Sequence, residues 1–79
     1  MAEAVVLINT KIESPQDQVF GNLKEIDGVD KAYTTRHGVY DFVVKVRTKT
    51  MNKLRNVVLE HIQKIDAVES TTTLLVAQK

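Results

Sequence analysis

The residues best suited to bind a ligand lie in one short segment, Arg36-His37-Gly38-Val39-Tyr40-Asp41. A glycine at a hairpin tip permits positive φ and lets a ligand approach backbone N–H groups. A phenol and a carboxylate follow it within a few residues. Asp41 could bind the ammonium group of a zwitterionic ligand, while the N–H groups of the turn bind the ligand's carboxylate. The alternative is that Gly38 only makes the turn and Asp41 is a solvated residue beside it.

Other kinds of site lack the residues they need. The chain has no cysteine and only two histidines, His37 and His61, in different predicted elements, so we predict no metal site and no cofactor. The loop Glu13-Ser14-Pro15-Gln16 offers no thiol pair for a metal and no arginine for phosphate. The first strand has no aromatic residue to stack an RNA base. We therefore expect a protein that is not an enzyme.

The elements that must position the segment are predicted by an internal repeat. Ile26-Asp27-Gly28-Val29-Asp30 reappears as Ile65-Asp66-Ala67-Val68-Glu69, at an offset of 39 residues. Apolar helix positions repeat at the same offset: Val19, Phe20 and Leu23 fall on Val58, Leu59 and Ile62. Two strand–helix–strand units predict one α+β domain over residues 1–79 with a ferredoxin-like βαββαβ fold. Its four-stranded antiparallel sheet would carry both helices on one face.

The first half of the chain has clear element signals. Val5 to Ile8 is a strand that is apolar on both faces. Ser14 is the predicted N-cap of the first helix, with Pro15 at its first position. Gly28 is expected to end the segment after that helix, and Val29 to Arg36 to form a strand of mixed polarity.

The second half repeats these signals. Tyr40 to Arg47 alternates as a strand, and Thr50 is the predicted cap of the second helix. The buried stripe of that helix is predicted at Leu54, Val58, Ile62 and Ile65, with Met51 and Val57 beside it. Val68 to Ala77 is expected to close the sheet.

Size and surface predict self-association. The domain's own helices can cover one face of a four-stranded sheet, so a second copy should cover the other face of Val5 to Ile8. A chain of 79 residues without cysteine also gains stability from a partner subunit. The net charge of +1 recruits neither DNA nor a membrane surface, so we predict neither as a direct partner. The absence of a basic, apolar leader after Met1 predicts a cytoplasmic location.

The order of motifs resembles the effector-binding domain of the Lrp/AsnC family of transcription regulators, often called the RAM domain. The resemblance is carried by a strand and a helix, then Ile-Asp-Gly-Val-x-x-Ala-Tyr, then the Gly-x-Tyr-Asp-Phe-x-Val-x-Val hairpin. The closing Val68 to Thr73 is similar to the family's last strand, which ends in a Thr-x-Thr pattern. Because the first strand begins close to Met1, we expect a stand-alone version of the domain, without the helix-turn-helix unit of full-length members.

The resemblance implies a function and a site. In the family, amino-acid effectors bind between dimers near the hairpin joining the second and third strands. That place corresponds here to Gly38, Tyr40 and Asp41, with Thr71 and Thr73 as hydroxyl contributors from the last strand. The implied protein is a homodimer that forms higher oligomers and acts with full-length Lrp/AsnC regulators. A ligand-free structural partner of those regulators and, more remotely, a small enzyme of the acylphosphatase or monooxygenase type are the alternatives.

Overall fold

A computed structural model of the protein describes residues 1–35 and 38–76. The elements are β1 (Ala2–Thr10), α1 (Gln16–Glu25), β2 (Val29–Thr34), β3 (Phe42–Thr48), α2 (Met51–Asn56) with a π-helical continuation (Val57–Ile62), and β4 (Val68–Leu75). The strands form one sheet in the order β2-β3-β1-β4, in which every neighbouring pair is antiparallel. The predicted ferredoxin-like α+β fold is confirmed.

The internal repeat is visible in the backbone hydrogen bonds of its two turns. In the first copy, Val29 N donates to Ile26 O at 3.1 Å; in the second, Val68 N donates to Ile65 O at 2.9 Å. Each of these bonds closes the Ile-Asp-x-Val turn and delivers the chain into an outer strand of the sheet. The repeated sequence therefore encodes a repeated turn as well as a repeated pattern of apolar residues.

The core lies between the sheet and the helices. Along β1 the side chains alternate strictly, with Val6 and Ile8 buried against the helices and Val5 and Leu7 half-buried on the opposite face. The other fully or nearly fully buried core residues are Ala4 of β1, Val19 and Leu23 of α1, Phe42, Val44 and Val46 of β3, and Leu54, Val57, Val58 and Ile62 of the second helix. The prediction that β1 is apolar on both faces is confirmed.

The second helix follows its prediction at the cap and departs from it along its length. Thr50 Oγ1 accepts a hydrogen bond from Lys53 N at 3.2 Å, which confirms the N-cap. Met51, expected beside the buried stripe, is 42% exposed, so that placement is wrong. Beyond Asn56 the helix widens, and Gln63 N donates to Val58 O, five residues back, at 2.9 Å. The wider turn lets Val57 pack inward as well.

The start of α1 also differs from the prediction. Pro15, rather than Ser14, occupies the N-cap position, and no side chain caps the helix. Glu13 has a φ of +64°, which reverses the chain just before Ser14. The Ser14 hydroxyl consequently donates back to the carbonyl of Lys11 instead of accepting from the helix.

Three strand ends shift relative to the sequence prediction. β3 begins at Phe42 rather than Tyr40. β2 is described to Thr34 and β4 to Leu75. Thr35 and Val76, which were predicted as strand residues, lie just beyond these strands. Arg36 and Ala77, also predicted as strand, and His37 of the predicted turn lie outside the described residues.

Within residues 1–35 and 38–76, no helix is long and apolar enough to cross a membrane.

Candidate ligand-binding site

Tyr40 and Asp41, the end of the segment singled out by its chemistry, lie at the base of the hairpin between β2 and β3. Backbone bonds hold it from both sides: Thr35 N donates to Asp41 O at 3.1 Å, and Asp41 N donates to Ile8 O at 2.9 Å. The Thr35 hydroxyl donates to the carbonyl of Tyr40. Tyr40 and Asp41 are half-buried, whereas Gly38 is exposed. Three of the predicted site residues, which are close neighbours along the chain, therefore lie at one end of the sheet.

The next residue anchors this end of the sheet in the core. Phe42 is completely buried, and its ring stacks on Phe20 of α1 with centroids 6.1 Å apart and planes 17° apart. Because a buried aromatic ring cannot shift without disturbing the packing around it, Asp41 is held at a fixed position. The ammonium of Lys24 lies 5.2 Å from the centre of the Phe20 ring.

The carboxylate of Asp41 is engaged by a residue that the sequence analysis did not single out. Its Oδ2 accepts from Thr10 N at 2.8 Å and from Thr10 Oγ1 at 3.0 Å. Gln16 Nε2, at the start of α1, donates to the same Thr10 Oγ1 at 2.9 Å. Asp41 is therefore neither a solvated residue nor a free carboxylate: it ends a chain of hydrogen bonds linking β3, β1 and α1.

A signal for Thr10 is present in the sequence. It continues the alternation of Ala4, Val6 and Ile8, so it belongs to the buried face of β1, and it is 8% exposed. A hydroxyl at a buried position needs a hydrogen-bond partner. That reasoning would have assigned Thr10 a polar neighbour, although it could not have said which one.

The surroundings of Gly38 show how much space the turn leaves at this position. A Cβ built on Gly38 would lie 3.6 Å from Thr35 Oγ1 and from Tyr40 O, an ordinary contact distance. A side chain at Gly38 would therefore not clash with the rest of the turn.

The two predicted site threonines of β4 lie away from Asp41 in the folded structure. Thr71 pairs with Ile8 and Thr73 with Val6, so both face the helix layer. The hydroxyl of Thr71 accepts from Gln63 Nε2 at 3.0 Å. Because β1 lies between β3 and β4, Thr71 and Asp41 are two strand spacings apart, or about 10 Å. One copy of the chain does not unite Asp41 with these hydroxyls.

Thr73 instead lines a groove of ≈ 430 Å³ between the second helix and β4, which we call the α2–β4 groove. Its other lining residues are Met51, Leu54, Arg55, Val58, Leu59, Gln63 and Leu75. Leu59 and Leu75 are 49% and 60% exposed, which makes the groove largely apolar and open. Among the described residues, no group of three or more His, Cys, Asp or Glu side chains could hold a metal ion.

Comparison with known proteins places the chain in a family. The model of the Lrp/AsnC ligand binding domain matches residues 3–79. The regulatory protein AsnC of Escherichia coli K12 is 39% identical over 56 residues, which are 71% of this chain and 36% of that protein. The AsnC of Haemophilus influenzae is 39% identical over 62 residues, or 78% of this chain and 41% of that one. The chain thus spans well under half the length of these curated relatives.

Solved structures agree with the sequence match. A protein from Thermus thermophilus superposes with a TM-score of 0.89 at 32% identity, over 100% of this chain and 96% of that chain. E. coli AsnC superposes with a TM-score of 0.88 at 31% identity, over 99% of this chain and 52% of that chain. The chain therefore belongs to the Lrp/AsnC ligand binding domain family, a ligand-binding domain of transcription regulators.

Proposed function

We propose that this domain binds a free amino acid and, through its assembly, adjusts the activity of Lrp/AsnC-type transcription regulators. The observation that carries the proposal is the family match over residues 3–79 combined with a carboxylate, Asp41, held at the open end of the sheet. A regulator from Neisseria meningitidis, whose fold is similar (TM-score 0.84, 14% identity), was crystallised in complex with L-Met. That complex supports an amino acid as the class of effector.

In the proposed site, Asp41 holds the ammonium of the effector. Both hydrogen bonds from Thr10 fall on Oδ2, so Oδ1 is the oxygen that these contacts leave for the ligand. Backbone N–H groups of the turn at Gly38 would bind the effector's carboxylate, and exposed Gly38 gives the ligand room to approach. Tyr40 would contribute contact surface beside them.

The site is proposed to be completed between copies of the chain. Asp41 and Thr71 of one chain are roughly 10 Å apart, so the ammonium and carboxylate groups of one amino acid cannot contact both residues. A hairpin from one copy placed near β4 of another would supply both sets of groups. This arrangement agrees with the family resemblance, in which effectors lie between dimers.

Dimerisation is proposed to use the sheet face opposite the helices. Cross-strand neighbours form an apolar strip there: Leu7 pairs with Val43, which pairs with Tyr33 on the next strand, and Val5 pairs with Leu74. Tyr33 is 51% exposed and Leu74 52% exposed. Apolar side chains thus occur on all four strands of this face, with Lys45 beside Val5, and an exposed apolar patch of this kind is typical of a surface that a second copy covers.

A second candidate function has its own supporting observation. Because Asp41 already accepts two hydrogen bonds from Thr10, its carboxylate could serve only to tie β3 to β1. The domain would then be a ligand-free assembly partner of full-length regulators. The two candidates predict different responses to amino acids, since only a binder gains stability from them.

The test is a thermal-shift screen of the protein against the twenty common L-amino acids, followed by calorimetry. A ligand present at a hundredfold excess over its Kd stabilises a binder by about 2.7 kcal/mol. A flat response to all twenty would reject effector binding and leave the assembly partner.

The variant Asp41→Asn then tests the anchor. The amide oxygen of Asn can still accept both Thr10 bonds, so the fold is kept while the charge is lost. A charge-assisted hydrogen bond contributes about 1.5–3 kcal/mol, so affinity should fall roughly 10- to 150-fold. Asp30→Asn is the matched control, because Asp30 is an exposed β2 residue at the opposite end of the β2–β3 ladder. Equal affinity in the two variants would exclude Asp41 as the anchor.

A further inference from the structure

We propose that Thr10 is a positioning residue for the effector site, and that Gln16 sets the direction of its hydroxyl. Thr10 would hold Asp41 Oδ2 so that Oδ1 faces the ammonium of the effector. The inference rests on the proposed function, because it names the residues that order the Asp41 carboxylate before the effector binds.

The direction of the hydrogen bonds supports this role. A threonine hydroxyl has one proton to donate and lone pairs to accept with. Gln16 Nε2 donates to Thr10 Oγ1 at 2.9 Å, so the hydroxyl's own proton is available for Asp41 Oδ2, 3.0 Å away. With the Thr10 N–H at 2.8 Å, the same carboxylate oxygen has two donors from one residue. This arrangement fixes both the position and the rotation of the carboxylate.

Thr10 is nearly buried and lies beside an irregularity in the sheet. Thr10 is 8% exposed, and the β1–β4 register shifts between Asn9 and Thr10, next to the site. Such irregularities in a ladder re-aim side chains and are frequent beside functional sites. Gln16 opens α1, so the first turn of that helix is tied through Thr10 to the hairpin base.

Preorganisation gives the expected size of the effect. A carboxylate that is already ordered does not lose rotamer freedom when the ligand binds. Without the Thr10 hydroxyl, binding must order the carboxylate, and affinity should fall about 2- to 12-fold. Removing the Gln16 amide should have a smaller effect, because it acts on Asp41 only through Thr10.

The experiment measures affinity by calorimetry, using the amino acid that most stabilises the unmodified protein. Thr10→Val removes the hydroxyl, whereas Thr10→Ser keeps it. Thr48→Val is the matched control: Thr48 also ends a strand, is 9% exposed, and donates its hydroxyl at 2.7 Å, but to Thr50 O. We expect the roughly 2- to 12-fold loss in Thr10→Val alone, with Thr10→Ser and Thr48→Val close to the unmodified protein.

A double-variant cycle separates positioning from a general structural effect. If Thr10 acts through Asp41, Thr10→Val should change affinity by less than about twofold in an Asp41→Ala background, where residue 41 has no side-chain acceptor for Thr10. An equal loss in both backgrounds, or no loss in Thr10→Val, would overturn the role of Thr10. If Thr10→Val fails to fold, Gln16→Met replaces it in the test, because Gln16 is exposed. Weaker binding in Gln16→Met supports positioning of Asp41 through Thr10, and unchanged binding overturns it.

Failure of this inference is distinguishable from failure of the proposed function. If no amino acid binds the unmodified protein, effector binding itself is rejected, and the positioning role with it. If Asp41→Asn weakens binding while Thr10→Val does not, the effector site stands and only the positioning role is rejected.

Discussion

Replacing Gly28 by alanine tests how the two halves of the repeat fit together. Gly28 has a φ of +102°, and an added Cβ would lie 2.8 Å from Val57 Cγ2. A left-handed backbone costs an L-residue roughly 1–2 kcal/mol. Val57 is 6% exposed and β-branched, so its methyl group cannot easily move aside, and such overpacking costs about 1–3 kcal/mol. We therefore expect Gly28→Ala to lower the free energy of unfolding by about 2–5 kcal/mol.

Urea unfolding followed by circular dichroism, at one fixed protein concentration, measures this change. Gly21→Ala is the matched control, because Gly21 lies inside α1 and a Cβ there would meet nothing within 4 Å. Alanine is favoured over glycine in a helix by about 0.8–1.0 kcal/mol, so Gly21→Ala should stabilise the protein. Gly38→Ala, whose nearest contact would be 3.6 Å, should leave the unfolding free energy almost unchanged.

A second variant separates the steric term from the backbone term. In a Val57→Ala background the 2.8 Å contact is removed, and the nearest atom to the new Cβ becomes Thr48 Cγ2 at 3.4 Å, an ordinary contact distance. Gly28→Ala should then cost only the roughly 1–2 kcal/mol of its backbone. The same cost in both backgrounds would refute the close approach of the first turn to the second helix. A stabilising Gly28→Ala would refute the positive φ as well.

Three further outcomes concern the helix cap, the proposed dimer and the Asp41 hydrogen bonds. Thr50→Ala should lose about 1 kcal/mol of stability with the N-cap, whereas Ser14→Ala should change it by within about 0.5 kcal/mol, as urea unfolding would show. Leu7→Lys, on the sheet face opposite the helices, should dissociate the proposed dimer in light scattering, because a buried unpaired ion costs several kcal/mol; an intact dimer would exclude that face. Asp41→Ala should cost about 1–3 kcal/mol of stability because the Thr10 N–H loses its acceptor, so full stability would exclude the observed hydrogen bonds.

The sequence alone determined the elements and their order. Each strand and helix is a local pattern of apolar residues, and the 39-residue offset copies that pattern from Val19 and Leu23 onto Val58 and Ile62, all of which are buried. The cap at Thr50 was also predictable, because the residues that make it are three positions apart. Such features depend on neighbours along the chain, which a sequence displays directly.

Placement of the candidate site was predictable only in part. The hairpin segment was found from its residue types, and Gly38, Tyr40 and Asp41 do lie together at the base of the hairpin. Their role in binding stays a prediction, as does that of Thr71 and Thr73. The backbone conformation of a turn glycine such as Gly38 could not be predicted, because it depends on how the two strands that it joins are held.

Tertiary structure decided which groups meet across the chain. Thr10 and Asp41 are 31 residues apart in sequence, and only the β3–β1 pairing brings the hydroxyl and N–H of one to the carboxylate of the other. Gly28 and Val57 approach closely because the first turn packs on the second helix. Contacts of this kind depend on strand order, register and the widened helical turn after Asn56, and no local sequence pattern specifies these. The sequence therefore predicted the helices and strands, whereas the hydrogen-bond partners of Asp41 depend on the tertiary structure.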